Sequence, residues 1–205
     1  MSATPEDPRT EPEPGSEPQP EPWPEESCRI FMAAPFAQLV ADGERVDATW
    51  RDRLETLRLA LLDRGHAVFN AHHNEDWGAA GLPPRECVPS DFRAMLACDV
   101  VCAYLGSPVS AGVAVELGWA SLLRKPVVLA HDRGATVSPM LRGLDSLTRV
   151  TRIVLPRGLD EAGARELAEA TDRLAEAALA DGASPWRCAR LTAPLRYVAA
   201  TGRTK

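Results

Sequence analysis

Two spacings alternate along this chain. Short apolar runs with no internal period read as buried strands, and between them apolar residues recur every three to four positions as in helices. The first run, Arg29 to Ala34, ends at Pro35. Asp47 then stands where an N-cap belongs, followed by Trp50, Leu54, Leu57 and Leu61 at helical spacing and by Gly65 as a stop signal. His66 to Asn70 is a second strand, and the stretch from Ala71 to Glu86, with its glycines and prolines, reads as a long loop without regular structure. Pro89 marks the first turn of a second helix that ends near Ala97. In the next strand, Asp99 to Leu105, the residues VVCAYL after Asp99 are continuous and apolar, as in a central strand covered on both faces. A helix from about Val113 to Leu123 follows, with Arg124 and Lys125 as cations suited to its C-terminus. A strand at Val127 to Ala130, a short helix near Met140, a strand near Arg152 to Leu155 and a helix from about Asp160 to Ala180 complete the series.

Strand and helix in strict alternation predict an α/β domain over 28–182, a doubly wound five-stranded parallel sheet with helices on both faces. Ligands of such sheets bind beyond the C-terminal strand ends. Three loops emerge there: Ala33 to Val40, Ala71 to Glu86 and Gly106 to Gly112.

Composition divides the chain. Met1 to Ser27 holds eight of the eighteen prolines and eight acidic residues against Arg9, so this segment carries about −7 of a net charge of −6 and leaves the rest near +1. Such a segment buries too little apolar surface to offset its chain entropy and is expected to be a disordered tail. It lacks the basic start and apolar run of a signal peptide, and no stretch has the length and apolarity of a membrane span, so a cytoplasmic location is expected. The near-neutral body has no Lys/Arg cluster, which argues against nucleic acid as a partner. Five cysteines without paired spacing suit reduced thiols. Residues 183–205 form an extension in which Trp186, Leu195 and Tyr197 are expected to pack against something.

Within this frame Glu116 stands out, the one charge between Leu105 and Leu123. An ionised carboxylate buried without a partner costs several kcal/mol, so it either faces a polar cleft or is paired. Ser110, Ala111 and Gly112 place a hydroxyl and backbone N–H groups at the start of its helix, an anion site by construction, although Ser110 also reads as a plain N-cap. Asp91 is a second carboxylate able to approach the same cleft, or a helix-start acid favouring the dipole. Asp99 reads as structural. His72 and His73, beside Glu75 and Asp76, point to opposite sides of a strand-like segment and so read as polar support rather than metal ligands. No GxGxxG, GxxxxGK[ST] or GxSxG is present. Two carboxylates beside an anion-binding helix start suit cleavage of a glycosidic bond in a phosphorylated sugar, with neither metal nor cofactor.

The residues Ser90-Asp91, Ala97-Cys98-Asp99-Val100-Val101, Gly112-Val113-Ala114-Val115-Glu116-Leu117-Gly118-Trp119-Ala120 and Lys125-Pro126 resemble the nucleoside 2-deoxyribosyltransferase superfamily over about 29–155. The resemblance implies that Glu116 is the nucleophile of a covalent ribosyl intermediate and that Asp91 contacts the sugar and assists proton transfer. Within the superfamily the chain looks closest to nucleoside 5′-monophosphate N-glycosidases. There Ser110 falls where the 5′-phosphate binds, with Gly112 beside it among the substrate-binding positions, and Val137 to Gly143 resembles a segment whose serine, here Ser138, reaches a neighbouring subunit's phosphate. A homodimer with shared sites is implied. The segments Met32-Ala33-Ala34-Pro35-Phe36, Phe69 to His73 and Asp76-Trp77-Gly78 resemble the cytidylate and hydroxymethylcytidylate hydrolases of nucleoside-antibiotic pathways, which places Ala33, Ala34, Phe36 and His72 among the substrate-binding positions. Several relatives carry Gly-Ser or Ser-Gly where this chain has Ala33-Ala34. The expected activity is hydrolysis of a pyrimidine ribonucleotide such as CMP, the alternatives being base exchange between nucleosides and nucleotide binding without turnover.

Overall fold

Five parallel strands form the central sheet in the order β4-β1-β5-β6-β7, with β1 at Arg29–Ala33, β4 at Ala67–Phe69, β5 at Val100–Tyr104, β6 at Val127–Asp132 and β7 at Val150–Leu155. The computed structural model describes residues 27–41 and 45–180; the remainder of the Pro/Glu-rich segment and the extension with Trp186, Cys188, Leu195 and Tyr197 lie outside the described residues. From β1 the chain moves outward to β4 and then returns to the other side of β1 as β5. The loops after β1 and β5 therefore lead to helices on opposite faces, the switch point at which ligands of such sheets bind.

Alternate strand residues build two cores. Ile30, Met32, Val100, Cys102, Val128 and Ile153 face α1 (Ala48–Leu62) and α6 (Glu161–Ala180). Phe31, Ala33, Val101, Ala103 and Leu129 face α3 (Pro84–Ala97) and α4 (Ala111–Leu122). Leu54, Leu57 and Leu61 of α1 are buried as their spacing predicts, and the Asp47 carboxylate accepts from the N–H groups of Thr49 and Trp50. Asp99, at the foot of β5, is structural: it accepts from the Arg29 backbone N–H and from two guanidinium nitrogens of the same residue, tying β5 to β1.

Four local expectations are corrected. A two-stranded antiparallel hairpin, β2 (Val40–Ala41) with β3 (Arg45–Val46), lies between β1 and α1; strands of two residues carry too little alternation to leave a periodic signal. The stretch after β4 is not irregular, because α2 (Ala71–Asn74) starts at once, capped by the Asn70 carboxamide. The helix expected at Pro89 starts instead at Pro84, with Pro83 at its cap and Pro89 inside it. Pro89 and Arg85 are exposed, so the Arg85 carbonyl that loses its N–H partner can turn to water. Lys125 does not serve its own helix. Its ammonium is buried and donates to the carbonyls of Leu96 and Cys98, closing the C-terminus of α3.

Among the described residues no helix is long and apolar enough to cross a membrane. Cys28, Cys87, Cys98 and Cys102 are free thiols. Burial pushes Cys98 and Cys102 up to about 12, so both behave as small apolar residues.

Candidate active site

The loop after β5 folds back at once. The Ser110 N–H donates to the Leu105 carbonyl at 2.9 Å, and Gly106 takes a left-handed φ of 78°. A side chain at position 106 would run into the Pro35 ring, so glycine there lets the loops after β1 and β5 lie against each other. The Gln38 amide, donating to the Pro108 carbonyl at 3.2 Å, joins them a second time.

Ser110 caps α4, its Oγ accepting from Val113 N–H at 3.5 Å. The hydroxyl hydrogen stays available, as do the first-turn N–H groups of Ala111 and Gly112, which have no acceptor within the helix. Gly112 is exposed and in ordinary helical backbone. Both readings of Ser110 thus hold together: as a cap it is an acceptor, and toward an anion it is a donor.

Glu116 lies in the second turn of α4. Its Oε2 is fully shielded and has no hydrogen-bond partner. Burial first and the Asp91 carboxylate second push the Glu116 carboxyl well above the usual carboxylate range. Asp91, in the middle of α3 rather than in its first turn, is pushed up to about 7 by burial and then by Glu75. The dipole reading of Asp91 therefore does not apply. The T-shaped packing of Phe92 on Trp119, with centroids 5.3 Å apart, holds α3 and α4 together beside the pair.

Glu75, at the C-cap of α2, is the carboxylate that acts on Asp91. It is buried, and its Oε2 accepts from the Leu82 N–H at 3.0 Å. The three residues that follow, Asp76 (φ 46°), Trp77 (φ 57°) and Gly78 (φ 97°), are all left-handed. For Asp76 and Trp77 this costs about 1–2 kcal/mol each, strain of a kind that collects at functional sites. The turn drives the Trp77 ring into the interior, against His72 and His73 and under the Arg51 guanidinium. Among the described residues no three His, Cys, Asp or Glu side chains converge as metal ligands would.

The other wall comes from the end of β4 and the loop after β1. His72 is buried, and its Nε2 donates to the Pro35 carbonyl at 2.7 Å. Burial pushes its pKa down to about 4, so at neutral pH the ring is uncharged and Nδ1 is an acceptor, without a partner. Phe36 packs against this ring, tilted by 34°, with centroids 4.8 Å apart. Asn70 uses its Oδ1 as the cap of α2 and leaves Nδ2 buried and unbonded. Ala33 and Ala34 point their methyl groups into the two cores, so only their backbone is open to a ligand.

Glu116 Oε2, Asn70 Nδ2 and His72 Nδ1 are thus a carboxylate, a donor and an acceptor, all buried and all unpaired. Each costs about 1–3 kcal/mol in that state. All three follow C-terminal strand ends, where a polar ligand would satisfy them.

The structure brings Glu116 and Asp91 together, places Ser110 and Gly112 at the start of the same helix, and sets Phe36 on His72. Ser138 stands apart, exposed at the cap of α5 (Pro139–Arg142) beyond β6. Sequence reasoning missed Asn70 and Glu75. The first had a readable signal, a polar residue directly after a buried strand; Glu75 had none, since its partner Asp91 is brought near by the fold.

No protein-family model and no curated protein matches the chain. Among solved structures it is similar to BlsM, known from a solution structure, with 32% identity, 78% of this chain and 98% of BlsM covered and a TM-score of 0.64. It is also similar to BcmB, a CMP N-glycosidase of Clostridium botulinum, with 27% identity, coverage of 69% and 96% and a TM-score of 0.52.

Proposed function

Because the chain belongs to the family of BlsM and shares its fold with the CMP N-glycosidase BcmB, we propose that it is a nucleotide N-glycosidase, acting on a pyrimidine ribonucleoside 5′-monophosphate such as CMP. The observation that carries this reading is the buried, unbonded Glu116 oxygen beside Asp91 at the crevice of the sheet. In the first step a Glu116 oxygen bonds to C1′ as the C1′–N1 bond breaks. The bond's electron pair leaves with the base, and the base takes the Asp91 proton. Water then attacks C1′, returns a proton to Asp91 and frees the Glu116 carboxylate, releasing ribose 5-phosphate. Two carboxyls about 5 Å apart suit such a double displacement. The Ser110 hydroxyl and the N–H groups of Ala111 and Gly112 hold the 5′-phosphate at the start of α4. Phe36 and His72 stack beside the base, and Asn70 Nδ2 and His72 Nδ1 offer it a donor and an acceptor.

The chain acts as a homodimer in this reading, Ser138 completing the partner's phosphate site. Support comes from apolar side chains turned outward: Val115 and Leu122 on α4, Met140 on α5, and Leu147. A panel of nucleotides, nucleosides and acceptor bases tests the activity. Free pyrimidine and ribose 5-phosphate from CMP are the expected products; a new nucleoside would mean base exchange, and tight binding without products would mean a non-catalytic site. Ser138→Asp tests the shared site, since aspartate caps α5 as well as serine but repels phosphate. KM for the nucleotide is expected to rise about tenfold or more, the loss of about one charge-assisted hydrogen bond, with thermal stability unchanged. An unaltered KM would remove Ser138 from the site.

A further inference from the structure

Every crossover of the sheet but the last carries a full helix. α1, α3 and α4 have 15, 14 and 12 residues, whereas the chain between β6 and β7 has only the four residues of α5 and a short 3-10 turn at Leu144–Ser146. Pieces so short do not cover two strands. The face of β6 and β7 on the α4 side is therefore left partly open, and Val154 on it is half exposed. Register fixes what lines the opening. Leu129 of β6 pairs with Arg152 of β7, so both point to that face, and His131, two residues after Leu129, points the same way. With Thr136, Val137 and Arg142 from the crossover they line a cavity of about 560 Å³, a size that suits a small organic ligand.

The lining is cationic. Neither Asp nor Glu belongs to it, since the neighbouring Asp132 carboxylate accepts from the Tyr104 hydroxyl at 3.0 and 3.1 Å on the opposite face of the sheet. Arg152 is held by one nitrogen only: its Nη2 donates to the Arg142 carbonyl at 2.6 Å and to Asp145 Oδ1 at 3.0 Å, which leaves Nε and Nη1 without an acceptor among the described residues. Asp145 is exposed, so water screens its charge. The Arg142 guanidinium and the Thr136 hydroxyl have no partner among the described residues. His131 faces the Asp132 carbonyl with Nδ1 at 3.0 Å, and because a carbonyl only accepts, Nδ1 carries the proton and Nε2 stays unbonded.

We propose that this cavity is a second ligand site, taking a phosphomonoester of a small organic molecule. Guanidinium forks match phosphate oxygens in pairs, and two of them answer the roughly two charges that a phosphomonoester carries at neutral pH, where a carboxylate would answer one. Thr136 and His131 Nε2 meet hydroxyls of the ligand, and Leu129 and Val137 give its organic body an apolar wall. The site draws on one chain and shares no residue with the start of α4. It therefore goes beyond the glycosidase reading and does not depend on it.

Titration of the full chain, labelled with 15N, by phenyl phosphate tests the site, with inorganic phosphate as the headgroup alone. The amides of Thr136 and Val137 and the Nε–H groups of Arg142 and Arg152 are expected to shift together, with one midpoint. Inorganic phosphate should need about tenfold more for the same shift, because it forgoes the apolar wall. Arg142→Gln, at an exposed position without a protein partner, should fold as the native chain does and raise the phenyl phosphate midpoint about tenfold or more, the loss of a charged donor pair. Arg142→Lys, which keeps the charge and loses the fork, should fall between the two. Unmoved resonances at the cavity, or a midpoint unchanged in Arg142→Gln, would overturn the proposal. Shifts confined to Ala111 and Gly112 would do the same, placing the phosphate at the start of α4 alone. An equal midpoint for inorganic phosphate would remove the organic body from the assignment. The titration requires no turnover, so a native chain that cleaves no nucleotide overturns the glycosidase reading and leaves this result to stand or fall by itself.

Discussion

Glu116→Gln is expected to lower base release from nucleotides by at least about a thousandfold while leaving KM within a few-fold, since it removes a nucleophile and hardly changes shape. The argument starts from α4, which spans twelve residues and holds a single carboxylate. That carboxylate is shielded, has no partner for Oε2 and is pushed upward by burial and by Asp91. A group kept in that state destabilises the fold. The neutral amide should therefore leave the thermal midpoint unchanged or raise it, the usual sign of a functional group held against its preference. Single-turnover assays with a nucleotide and a thermal melt of both proteins check the two halves together. In the native chain, rapid quenching during turnover is expected to trap protein heavier by one ribosyl phosphate, and Glu116→Gln should trap none. Full turnover by the variant would remove Glu116 from the chemistry.

Lys125→Met is expected to destabilise the folded chain by about 3 kcal/mol, lowering the thermal midpoint by about 10 °C, without any contact to the crevice. The lysine stem is buried and methionine fills much of its volume, so the effect isolates the ammonium. Two carbonyls at the end of α3, those of Leu96 and Cys98, lose a charged donor at 3.0 and 2.6 Å. Burial pulls the Lys125 pKa down, yet the hydrogen bonds and the nearby Asp99 keep the cation in place. Denaturant unfolding of both proteins measures the loss. The end of α3 is also where the chain turns into β5, so the damage should spread to the central strand, seen as faster amide exchange at Val100 to Tyr104. A loss below about 1 kcal/mol would mean that water replaces the ammonium at those carbonyls.

Much of the fold was readable in the residues. Each of the five sheet strands overlaps its apolar run, and the caps at Asp47, Ser110 and the start of α5 lie within a few residues of the N–H groups they serve. Glu116 too was conspicuous by local contrast alone. Where reading failed, either the element was shorter than one period of any pattern, as in the β2–β3 hairpin, or a proline was placed at the wrong turn. Pro84 and Pro89 are both credible first-turn residues, and what separates them is whether the carbonyl of Arg85 can reach water, a matter of which side of α3 faces out.

The local sequence by itself determined the alternation of strand and helix, the caps and the anomaly of a lone carboxylate, because these depend on groups within about one turn of one another. Only the tertiary structure decided that Lys125 closes α3 instead of α4, that His72 donates to Pro35 and is neutral, and that Asp91 stands within electrostatic reach of both Glu75 and Glu116. Those pairs lie 16 to 37 residues apart in the chain. Their meeting follows from the crossovers between β1, β4 and β5, and the electrostatic and desolvation effects that set their protonation act through space, not along the backbone.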